Sequence, residues 1–240
     1  MALLMLTSGG LVSAQIRSTP DEESEKKELG RAVMAMSLRQ MDMGPHMKMT
    51  LLRRPQSGDK QRADEIVKQA RQAIERYKDY KVALAEGYQI FIPNLPQNMY
   101  HFNNSWYAME SVRRLNVAHP TSLLYEKTAA DDYRLIGVMY TAPADMTEDA
   151  LDQRIPLSVA QWHQHVNLCL PRRQMEGLFD PASRFGINGS ITTSEECERA
   201  GGRFFPRLFG WMVHLYPYEQ KSDQMWSVER QIGPGHMHKQ

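Results

Sequence analysis

The hydrophobic positions of the chain change period once, from 3.6 in the first half to 2 in the second. Over residues 59–86, Ala63, Ile66, Val67, Ala70, Ile74, Tyr77 and Leu84 recur at i, i+3, i+4 and i+7 and predict a long amphipathic helix. Asp59 stands where an N-cap is expected and Gly87 where a C′ residue is expected. Lys60, Arg62, Glu65, Lys68, Arg71, Glu75 and Lys78 form its solvated face. Upstream, Leu29, Val33 and Met36 predict a first helix running to about Gln40. Downstream, an irregular stretch through Asn94, Pro96, Asn98, Asn103 and Asn104 puts His101 in a loop or at a strand edge.

Alternation then predicts strands at 121–128, 133–142, 159–170 and 209–217, the first two forming a hairpin that closes at Asp131-Asp132. Residues 144–156 read as a short helix with Thr147 as N-cap. Residues 171–208 form a long excursion with a short helical patch at Ser194-Glu195-Glu196. The expected fold class is α+β, with N-terminal helices packed on an antiparallel β-sheet.

The ends of the chain divide this picture into segments. Residues 1–14 (MALLMLTSGGLVSA) are apolar and finish in Val12-Ser13-Ala14, the small-residue pattern of a cleaved export signal, although no basic residue precedes them. Residues 15–58 read as an N-terminal extension with one helix and a methionine-rich segment, and 59–240 as a single α+β domain. No later run reaches the ~18 apolar residues of a membrane-spanning helix. The expected location is periplasmic or secreted.

Composition narrows the partners. With 42% hydrophobic and 24% charged residues the chain is of globular type, and a formal net charge of +1 leaves no electrostatic footprint for nucleic acid. The expected partner is a metal ion or a small molecule. Among standard catalytic signatures there is no G-x-S-x-G elbow, Gly-rich phosphate loop, H-E-x-x-H or C-x-x-C.

Two sulfur patterns each carry two readings. The two cysteines, Cys169 and Cys197, form a disulfide in an oxidising compartment. Alternatively Cys169 is a ligand, since it follows His163, His165 and Asn167 at two-residue spacing. Met34, Met36, Met41, Met43, Met47 and Met49 surround Pro45 and His46. Such a run is adaptable packing material, and thioether sulfur also suits monovalent copper.

The densest chemistry is at Trp162-His163-Gln164-His165. On a strand His163 and His165 point the same way, while Trp162 and Gln164 point the other. His214 shares a face with Met212 and Tyr216, and Glu126 shares one with Leu124. If those faces align, His163, His165, His214 and Glu126 gather into a nitrogen and oxygen shell, with His101 delivered from the preceding stretch. That shell suits a divalent transition metal, zinc or copper. An open coordination position would make the site a metal-dependent hydrolase or oxidoreductase. The alternative is a non-catalytic ligand-binding or metal-carrier protein of the cell envelope.

Taken together, Glu86-Gly87-Tyr88, the segment Pro120 to Glu126, the segment Arg134 to Tyr140, the histidine strand and Trp211-Met212-Val213-His214 resemble a group of uncharacterised secreted bacterial proteins with this order of segments. The resemblance covers residues 60–220. It implies export and a functional reason for Glu126 and the histidines, and it supplies no reaction.

Overall fold

In the computed structural model, residues 44–128, 132–172 and 182–228 are described. The leader at 1–14, the helix expected over 29–40, the methionines before Gly44 and the tip of the Asp131-Asp132 turn lie outside them. Seven strands and six α-helices occur among the described residues. The strands are β1 (Met47–Met49), β2 (Gln89–Ile90), β3 (Tyr100–Asn103), β4 (Ser122–Lys127), β5 (Tyr133–Ala142), β6 (His163–Pro171) and β7 (Gly202–Leu215). They form one antiparallel sheet in the order β1-β6-β7-β5-β4-β3-β2. Its edge strands have only three and two residues, which limits the exposed backbone available for pairing with another chain.

The helices are α1 (Asp59–Ile74), α2 (Tyr80–Ala85), α3 (Ser105–Arg113), α4 (Glu148–Arg154), α5 (Ser194–Arg199) and α6 (Ser222–Met225). The α+β fold with helices on an antiparallel sheet is the one expected. One face of the sheet supplies Phe102, Tyr125, Val138, Tyr140, Trp162, Trp211, Val213 and Leu215 to the main core, where Ala63, Val67, Ala70 and Ile74 of α1 meet them. Polar ties fix this layer: Tyr125 Oη donates to the Tyr77 carbonyl at 2.7 Å, and Arg71 Nε donates to the Pro217 carbonyl at 3.0 Å.

The helix expected to run unbroken over 59–86 is interrupted. α1 ends at Ile74, a 3₁₀ turn covers Glu75–Lys78, and α2 restarts behind Asp79, whose side chain accepts from Lys81 N. A side chain that caps its own downstream backbone competes with helix continuation. After the break α2 buries Ala83 in the main core, so Leu84 is exposed although its spacing put it on the buried face. Gly58, at φ 89°, holds the N-cap position expected of Asp59. Asp59 instead accepts from Gln56 N at 2.9 Å and Ser158 Oγ at 2.6 Å, tying α1 to the chain that leads into β6. Thr147 caps α4 and Gly87, at φ 90°, follows α2, both as expected.

Two features depart further from the alternation. α3 follows the Asn-rich stretch directly, started by Asn104, whose Oδ1 accepts from Trp106 N and Tyr107 N at 3.0 and 3.2 Å. β7 begins at Gly202, seven residues before its expected start, because Gly202 to Leu208 pair with β6 across the excursion. Cys169 and Cys197 form a disulfide, which pins α5 to β6 and removes Cys169 from any ligand set.

Candidate metal centre

The sheet face turned away from α1 carries the histidines. β6 pairs with β7 so that His163 stands opposite Met212, and two residues along β7, on the same face, is His214. The rings of His163 and His214 are 5.2 Å apart between centres, and His163 and His165 are 5.8 Å apart. His101, on β3, completes the line at 5.7 Å from His214. Four of the five expected residues are thus brought together, and His101 is delivered by a strand.

Glu126 is not. It belongs to the same strand face as Leu124 and Ser122, but Ser122 is the residue in line with His214, through Met139. Four residues of strand separate Ser122 from Glu126, about 13 Å. At that end Glu126 pairs with Arg134.

All four histidines are held neutral. His163 and His214 are buried, and burial pushes both well below the ordinary imidazole range, with neighbouring imidazoles adding to the effect. Burial and the His165 ring bring His101 down to about 4, against a hydrogen bond to the Met99 backbone. Burial brings His165 to about 4, helped by His46. Among the described residues, the only charges acting on these rings are those of other histidines. His119 is a useful contrast: its Nδ1 meets Glu110 Oε2 at 2.6 Å and its ring stacks on Tyr107.

Neutral imidazole is the form that binds metal. Two imidazoles on one tetrahedral ion, with bonds of about 2.0 Å, hold their ring centres about 5 Å apart. As the rings stand, however, no group of three or more His, Cys, Asp or Glu side chains among the described residues is disposed to hold an ion.

Two further features concern the methionine-rich run around His46, whose position relative to the histidines the sequence does not give. His46 is buried, donates Nε2–H to the Gly189 carbonyl at 2.7 Å, and leaves Nδ1 without a hydrogen-bond partner. An imidazole anchored to a carbonyl through one nitrogen presents a lone pair on the other, as metal-ligating histidines do. Secondly, β1 pairs with β6, placing Met47 opposite His165 and Met49 opposite His163. A three-residue strand leaves too little alternation to read from sequence. No family model, curated protein or solved structure matches this chain.

Proposed function

We propose that this is an exported protein that binds one late first-row transition metal ion, zinc or copper, on the sheet face that carries His101, His163, His165 and His214, adjacent rings of that set supplying the ligands. The observation that carries the reading is the run of four imidazoles, neighbouring rings 5.2–5.8 Å apart, on one face of the sheet. Imidazole is a ligand common to both metals. Rotation about the soft Cβ–Cγ torsion redirects the nitrogens without moving the strands. The Cys169–Cys197 bridge supports export, because disulfides persist in oxidising compartments. With Glu126 turned onto Arg134, the face has no carboxylate from that strand to act as a general base, which favours binding or carriage over hydrolysis.

Metal analysis of purified protein tests this. One equivalent of bound metal is expected, lost in His163→Ala/His165→Ala while the far-ultraviolet circular dichroism is kept. Trace metal unchanged by the double substitution would sink the proposal. The edge-to-face packing of His163 on His165 and His214, at 80° and 83°, favours a second reading in which the rings line a metal-free small-molecule pocket. That reading predicts a protein that folds fully and takes up no metal.

A further inference from the structure

The histidine face is also the methionine face. Met49, His163 and Met212 stand in one line across β1, β6 and β7. Met139 stands opposite His214, and Met47 opposite His165. Met99 lies two residues before His101, and its Sδ accepts from Tyr216 Oη at 3.5 Å. Met47, Met49, Met139 and Met212 are the methionines within the described strands, and all four lie on this face. Where the same strands meet the helices, they bury Trp162, Trp211, Val213, Tyr140 and Leu215 instead. Methionine used only as adaptable filler has no reason to segregate by face.

Charge points the same way. Imidazole and thioether are uncharged donors when they bind a metal, the cysteines are consumed in a disulfide, and Glu126 faces Arg134. The cost of bringing an ion from water into such a setting scales with the square of its charge, so a divalent ion pays about four times what a monovalent one does. Thioether sulfur is a soft donor that selects copper(I), whereas zinc gains little from it.

We propose that the ion is copper(I), bound by His163, His214 and Met212. Met212 lies directly opposite the first and two residues along the strand from the second, at the closest pair of rings on the face. His101, His165, Met49 and Met139 flank this centre as further donors. The assignment rests on the metal reading of the same face.

The full chain is titrated anaerobically with copper(I) against a chromophoric copper(I) chelator, and separately with zinc(II). Met212→Leu conserves volume, so it keeps the fold while removing the sulfur. Copper(I) affinity is expected to fall by about tenfold or more in that variant, with zinc(II) binding unaltered. Copper-edge X-ray absorption of the unsubstituted protein is expected to contain a sulfur shell, a readout that survives if the variant fails to fold. Zinc binding without copper(I) binding, or copper with only nitrogen neighbours, overturns the copper assignment and leaves the metal reading standing. Binding of neither ion overturns both.

Discussion

His101 on β3 and His214 on β7 hold their ring centres 5.7 Å apart, although three strand spacings separate their backbones. With three strand spacings and a two-residue offset in register, a flat sheet would put those backbones about 16 Å apart. The two side chains therefore lean towards each other across the intervening strands. Gly137, opposite Leu124 in the row of His101, is a point of close approach between β5 and the end of β7. A Cβ there would meet the Leu215 carbonyl oxygen at 2.6 Å and Tyr216 Cδ1 at 2.8 Å.

Gly137→Ala is accordingly expected to destabilise the protein by about 1–3 kcal/mol, since the obstacle includes rigid backbone. It should also push β7 from β5 and separate His101 from His214. Chemical denaturation gives the first effect and metal affinity the second. An unchanged denaturation midpoint would mean that the two strands are not in close contact at Gly137.

The depressed histidines set a pH dependence for the metal-free protein. Their folded-state values lie below the unfolded value of about 6.5, so between the two the unfolded chain binds more protons. Stability is then fully present above about pH 6.5 and is lost as pH falls towards 4. The slope is at most about 1.4 kcal/mol per pH unit for each histidine. Urea midpoints at pH 7.5, 6 and 5 should decline steadily. Carboxylates do not mimic this window: Glu110, held down at about 2 by His119, Asn116 and Arg114, acts only below its ordinary range. A flat profile from pH 7.5 to 5 would mean that the cluster titrates normally.

Glu126→Gln separates the expected residue set from the observed one. The Glu126–Arg134 pair is partly exposed, with side-chain accessibilities of 38% and 69%. Exposed ion pairs contribute little, so stability should change by no more than about 0.5 kcal/mol. Metal stoichiometry and affinity should stay as they were, in contrast to His214→Ala. A tenfold loss of metal on Glu126→Gln would show that the strand end folds back onto the face.

How far the sequence could be read follows from the range over which each signal acts. Strands β4, β5 and β6, the second half of β7, the Thr147 cap and the pairing of Cys169 with Cys197 rest on local alternation, capping chemistry and cysteine parity, all visible in a short window. His163 and His165 come from the same window. Uniting them with His214 and His101 needs strand order, and here β7 lies between β6 and β5. Glu126 was misplaced for that reason: parity put it on the right face, but only the pairing of Ser122 with Met139 and of Met139 with His214 shows that it lies four residues too far along. Met47, Met49 and His46 read as part of a methionine-rich run that is packing material or suits copper, but their place beside His163 and His165 is illegible because three residues of strand carry no period.

The disulfide offers the cleanest separation of fold from site. It joins residues 28 apart and closes the excursion between β6 and β7, with Ile191, Phe185 and Phe204 packed around it. In the chain-entropy model a loop of this size stabilises the fold by about 3–4 kcal/mol. Cys169→Ala/Cys197→Ala should lower stability by that amount, and a reductant should lower it similarly in the unsubstituted protein. The bridge lies on β6 beyond His165, so the His163–His214 pair keeps its own ladder through Met212 and Met139. Metal affinity measured well below the new melting temperature should therefore change little. Gly202→Ala provides an independent check, because its Cβ would meet Cys169 Sγ at 2.5 Å and Cys197 Sγ at 2.8 Å. If either change abolished metal binding in protein that still melts cooperatively, the excursion would have to contribute to the site directly, and the His46 contact with Gly189 would be the first link to test.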